Sequence, residues 1–126
     1  MKNMQTPLHK VKGMGSSHSG TGHFWHERVS SVALIPLTLW FGYAVLGLVN
    51  ASEVTAISFL AHPVNAILMA AFVIITLYHI KLGMQVIIDD YVHAAGAKIA
   101  LLLLVRFAVI ATGAACLFAL LRIASL

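Results

Sequence analysis

The run Tyr78-His79-Ile80-Lys81-Leu82-Gly83-Met84-Gln85-Val86-Ile87-Ile88-Asp89-Asp90-Tyr91 begins in apolar surroundings and ends in two carboxylates and a phenol. On a helix, His79, Gly83, Val86 and Asp90 share one face, because residues three and four apart stack above one another. Helical rise then separates His79 from Asp90 by roughly 16 Å along the axis. A neutral imidazole can ligate iron through Nε2 while Nδ1–H is held by a carbonyl or water. His79 is therefore a candidate haem ligand, and Gly83, one turn away, leaves room for a flat macrocycle. The competing account is an intramembrane histidine bonded only to a neighbouring helix or to interfacial water. No other span offers a histidine at this depth, so a bis-histidine haem has to be shared with another subunit. At the far end, Tyr91 can donate a hydrogen bond to a quinone carbonyl, and Asp90 can orient an arginine or relay protons. The alternative there is a plain interfacial anchor, a common place for tyrosine.

These residues need elements to hold them, and composition says which. The chain has 126 residues, of which 60% are hydrophobic and 10% charged, and its mean hydropathy is +0.94. A water-soluble domain of this size needs more charge to cover its surface. The apolar residues also fall in long runs, which predicts an all-α membrane protein of one domain with three transmembrane helices. The spans are expected at about residues 29–49, 64–82 (the helix extending to 88) and 99–123, within a three-helix anchor domain over 25–126. Trp25 and Phe24 precede the first span where an aromatic belt belongs. Pro36 is expected to bend that span, and His62-Pro63 to open the second, since proline is tolerated in a helix's first turn. Residues 1–24 read as a flexible basic arm with Lys2, Lys10 and Lys12 and a Gly/Ser stretch from Gly13 to Gly22. The arm lacks the apolar core of a cleaved signal peptide and the arginines of a mitochondrial presequence.

Net charge is +4, and the bases gather at the ends of the apolar runs, which indicates topology rather than nucleic-acid binding. Lys2, Lys10, Lys12, Arg28, Lys81 and Lys98 fall on one side of the expected spans, against Arg122 on the other. The N-terminus and the loop after the second span are accordingly expected inside, and the C-terminus outside. The single cysteine, Cys116, permits neither an internal disulfide nor a cysteine-ligated iron–sulfur cluster, so any such cluster belongs to a partner. Arg106 lies in the third span; snorkelling toward the inner surface is the first account of it, pairing with a propionate or carboxylate the second. His23 and His26 are expected at the interface with a soluble partner or near haem propionates.

His79, ten intervening residues, then Asp90-Tyr91, with Gly83-Met84 between, resembles the small membrane-anchor subunit of succinate dehydrogenase (complex II). Thr21-Gly22-His23-Phe24-Trp25 ahead of Arg28-Val29-Ser30-Ser31 is similar to the alphaproteobacterial and mitochondrial-like branch of that family. The resemblance covers nearly the whole chain. It implies that His79 is one axial ligand of haem b, the other coming from the sister anchor subunit (C), with which this chain forms a heterodimeric bundle. It implies that Tyr91 hydrogen-bonds the ubiquinone head group with Asp90 beside it, and, more loosely, that Arg28 lies near the haem propionates. The implied partners are the sister anchor, the iron–sulfur subunit, the flavoprotein subunit and membrane lipids, and the implied location is the bacterial cytoplasmic membrane rather than the mitochondrial inner membrane. The chain by itself is then a non-catalytic subunit of an oxidoreductase. A fumarate reductase anchor and a purely structural anchor without haem are the alternatives; a small transporter is disfavoured by three spans with few polar groups.

Overall fold

The architecture follows from three apolar runs that must satisfy their backbone groups internally, which in a membrane leaves the helix as the solution for a single chain of this kind. The structure, a computed structural model, describes residues 4, 6–13 and 20–126; Lys2 and residues 14–19 of the Gly/Ser stretch lie outside them. In chain order the helices are α1 (Pro7–Lys12), α2 (Gly20–Leu48), α3 (Glu53–Ala61), α4 (Pro63–Tyr91) and α5 (Ala95–Ala124). The described residues contain no strand. α2, α4 and α5 are each long and apolar enough to cross a membrane.

The helix ends are written in local chemistry. Thr6 caps α1, its hydroxyl accepting from the His9 N–H at 3.2 Å, with Pro7 opening the helix and Gly13 at φ +58° closing it. The basic arm thus contains a short helix over Pro7–Lys12. α2 starts at Gly20 rather than near residue 29, because the helix continues past the apolar run into its polar approach. Pro36 is accommodated without ending α2. Residues 50–62, the loop between the first two expected spans, hold a short helix: Ser52 caps α3 by accepting from the Thr55 N–H at 3.2 Å, and Glu53 favours the positive end of its dipole. Asn65 then donates to the Phe59 carbonyl at 2.9 Å and ties α3 to the start of α4. α4 continues to Tyr91, and α5 begins at Ala95, ahead of the expected residue 99.

α4 is the middle helix, packed against α2 on one side and α5 on the other, while α3 lies against α4 and α5. On the α2 side, Phe41 and Phe72 stack with centroids 4.5 Å apart, and Trp40 stacks on Phe59 of α3 at 6.4 Å. On the α5 side, the backbone of Gly113 comes so close to α4 that an added Cβ would stand 3.3 Å from Leu77 Cδ1. The described residues bury little among themselves: Ala44, Leu82 and Ile88 are the buried apolar side chains and Ser30 the buried polar one. Leu39, Tyr43, Leu46 and Leu121 are among many large side chains left uncovered. Helices apolar on all sides are satisfied by lipid or by other helices, so this is a layer of spans rather than a closed domain.

Candidate functional site

α2 and α4 run antiparallel, so the N-terminal turns of α2 meet the C-terminal half of α4 and bring two otherwise distant polar segments together. Ser30, only 5% exposed, hydrogen-bonds His79: Oγ and Nδ1 are 2.9 Å apart. The Ser30 hydroxyl also lies 2.9 Å from the Glu27 carbonyl one turn earlier, which accepts from the Ser31 hydroxyl at 2.8 Å as well. One turn up α2, His26 Nδ1 is within hydrogen-bond distance of the Tyr78 hydroxyl, and the two rings are tilted at 53°. Two adjacent residues of α4, Tyr78 and His79, are therefore both clamped to α2 by side-chain bonds. In a hydrocarbon environment each such bond replaces an unsatisfied polar group. No hydrogen bond engages His79 Nε2 among the described residues.

A Cβ placed on Gly83 would meet no atom within 4 Å, so this chain's own packing does not require glycine there. Beside the clamp, an apolar groove of about 390 Å³ opens between α2 and α4, lined by Trp25, His26, Ser30, Ile74 and Tyr78 among others. The described residues contain no group of three or more His, Cys, Asp or Glu able to hold a metal ion. Within α4 the His79 imidazole stands by itself as a candidate ligand, its ring held at Nδ1 by Ser30 of α2.

The polar end of α4 divides into a structural and an open part. Asp89 is held by Lys98 of α5 in an ion pair at 2.8 Å. Asp90 has no cationic partner among the described residues and lines a cavity of about 450 Å³ with Gly20, His23, Gln85, Val86 and Asp89. His23, which also lines this cavity, has its Nε2 buried without a hydrogen-bond partner among the described residues. Tyr91, the last residue of α4, is 79% exposed. The wall of this cavity thus carries an imidazole from α2 and two carboxylates from α4.

Of the sequence-predicted residues, the structure brings Asp90 to His23 and leaves His79 roughly three turns away along α4. It does not bring Arg28 to His79: Arg28 stands two residues before Ser30, about 200° round α2, with its guanidinium 5.0 Å above the Phe24 ring. Arg106 is exposed and lines a smaller cavity of about 190 Å³ between α4 and α5 with Lys81 and Gln85, away from any carboxylate partner among the described residues. Sequence reasoning missed Ser30 and Tyr78 as members of the site. Two hydroxyl groups inside bilayer-length helices were the available signal, since such groups need partners in hydrocarbon.

With the geometry in place, comparison with known proteins becomes informative. The family model described as "Succinate dehydrogenase/Fumarate reductase transmembrane subunit" matches residues 2–113. The "Succinate dehydrogenase hydrophobic membrane anchor subunit" of Paracoccus denitrificans is 37% identical over 102 residues, 81% of this chain and 79% of that protein. The protein of the same name from Rickettsia bellii is 35% identical over 97 residues, covering 77% and 78%. The "Succinate dehydrogenase membrane anchor subunit" of Reclinomonas americana is 32% identical over 91 residues, covering 70% and 76%. No solved structure matches the chain.

Proposed function

The chain belongs to the family of succinate dehydrogenase/fumarate reductase transmembrane subunits and is a multi-pass succinate dehydrogenase membrane anchor, and from that premise we propose that it contributes one haem b ligand and part of the ubiquinone-reduction site of complex II. His79 supplies Nε2 to the iron, and a histidine of the sister anchor completes the axial pair. When bound, the haem offers a one-electron store within the membrane domain. Asp90 and Tyr91, with His23 facing the same cavity as Asp90, serve the quinone head: Tyr91 donates to a carbonyl oxygen, and Asp90 sits where protons enter from the aqueous side. Arg28 is retained as a propionate contact, reached on assembly by turning away from Phe24. The iron–sulfur and flavoprotein subunits dock at the N-terminal side, on the inside of a bacterial cytoplasmic membrane, where Lys10, Lys12, Arg28 and Lys98 lie. Electrons from succinate then reach ubiquinone through the partner's clusters.

The observation that carries this reading is the His79 imidazole inside a bilayer-length helix, held at Nδ1 by Ser30 and without a bond at Nε2 among the described residues. The test is haem content per assembled complex in His79→Ala, by reduced-minus-oxidised spectra. Loss of the b-type band with the partner subunits still co-purifying is expected; an undiminished band refutes the ligand role. The direction of turnover is read separately, by comparing succinate oxidation with fumarate reduction in the same preparation, because the membrane residues serve either.

A further inference from the structure

Ser30 is the one buried polar side chain among the described residues, and a buried hydroxyl in an apolar helix needs an account. Its Oγ has two neighbours at hydrogen-bond distance, the Glu27 carbonyl and His79 Nδ1, each at 2.9 Å. The hydroxyl owns a single proton. Two arrangements are open to the pair. In the first, Ser30 donates to Nδ1, which places the imidazole proton on Nε2 and blocks that nitrogen as a ligand. In the second, Ser30 donates to the Glu27 carbonyl, Nδ1–H donates to Ser30 Oγ, and Nε2 keeps its lone pair.

We propose that Ser30 is a positioning residue that fixes His79 in the second arrangement, with the chain His79 Nδ1–H to Ser30 Oγ to Glu27 carbonyl holding both the tautomer and the plane of the ring. The inference rests on the haem-ligand reading above and deepens it. In the second arrangement every proton of the chain has an acceptor, whereas in the first the Nε2–H points to a side with no acceptor among the described residues. The helix supplies the relay at little cost, since a serine in a helix commonly donates to a carbonyl one turn earlier. The Ser31 hydroxyl shares the Glu27 carbonyl at 2.8 Å, so that oxygen acts as a common sink for two hydroxyl protons. Neighbours that orient a metal-bound histidine commonly contribute about 10–100-fold to affinity or activity.

The experiment uses the assembled complex carrying Ser30→Ala, Ser30→Thr or His79→Ala, with haem transfer to apomyoglobin and the low-temperature spin-resonance signature of the ferric haem as readouts. Ser30→Ala is expected to raise the transfer rate roughly tenfold or more and to move the signature, because the ring loses its acceptor. Ser30→Thr, which keeps the hydroxyl, is expected to restore both toward wild type. If Ser30→Ala leaves both readouts unchanged while His79→Ala lacks haem, the positioning role is overturned and the ligand role stands. Equal disturbance by Ser30→Thr and Ser30→Ala also overturns it, since the hydroxyl would not be the property that matters. A full haem complement in His79→Ala overturns the ligand reading itself and this inference with it.

Discussion

The two flanks of α4 are built on opposite principles. Toward α2 it offers polar groups inside the apolar span: Tyr78 bonded to His26 and His79 bonded to Ser30. Toward α5 the contact is steric, with Leu77 against the bare backbone of Gly113, and the ion pair among the described residues, Asp89–Lys98, lies at the helix end. The glycines mark the same division. A Cβ on Gly113 would crowd Leu77, whereas a Cβ on Gly83 meets nothing within 4 Å. Both flanks hold the chain's own helices together, the α2 side with side-chain hydrogen bonds and an aromatic stack, the α5 side with close steric contact.

The sharpest way to break that contrast is to fill the open side. Gly83→Leu adds a side chain one turn from His79 without meeting an atom of this chain at Cβ. On the proposed reading it excludes the macrocycle, and haem content per complex should fall about tenfold or more while the helices form normally. Unchanged haem in a stable Gly83→Leu complex would show that the space beside His79 has no such use. The next effect belongs to the polar end. Tyr91→Phe removes one donor from the proposed quinone site, and quinone reduction should slow by roughly tenfold, the size of a site-critical hydrogen bond. Succinate oxidation with a soluble acceptor should stay close to wild type; a matching loss in both assays indicates failed assembly instead.

Much of this was legible in the chain alone, and the shortfalls have physical reasons. Three spans follow from three apolar runs, because only helices satisfy their own backbone in hydrocarbon. Their ends do not follow, since hydropathy marks the thickness of the apolar layer: α2 begins at Gly20 and α5 at Ala95, both beyond their apolar runs. α3 is hard to read in advance because its signal is a cap, Ser52 with Thr55, in the connection over residues 50–62, which holds Glu53 but no Lys or Arg. The helical face shared by His79, Gly83 and Asp90 is a matter of periodicity within one helix and could be drawn in advance. Ser30 could not, since its meeting with His79 depends on the register between α2 and α4, and periodicity within either helix does not fix that register. For the same reason the direction of Arg28, away from His79 and over Phe24, emerges only in three dimensions.

On the steric flank the expected effects are smaller and of a different kind. Gly113→Ala puts a methyl 3.3 Å from Leu77 Cδ1, a contact the flexible end of leucine can relieve by moving a few tenths of an ångström. The cost should be about 1 kcal/mol, at the low end of overpacking, and appear as a thermal midpoint lowered by a few degrees. Haem content and quinone reduction should not change, because neither Leu77 nor Gly113 faces α2. A loss of haem in Gly113→Ala would mean that the two flanks are coupled through a rigid α4.

The smallest effect is expected where the flanks meet water. Asp89 and Lys98 are 2.8 Å apart, but their side chains are 43% and 35% exposed, so solvent and salt screen much of the attraction. Asp89→Asn should therefore lower stability by well under 1 kcal/mol, with the difference shrinking further as ionic strength rises. Asp90, the next residue, has no such partner among the described residues and lines the cavity with His23. Asp90→Asn should reverse the pattern, leaving the thermal midpoint alone and slowing quinone reduction. Measured side by side, the adjacent carboxylates separate a fastening from a working group; if Asp89→Asn proves the slower enzyme and Asp90→Asn the less stable one, the division of labour drawn here between the two flanks is inverted at its aqueous end.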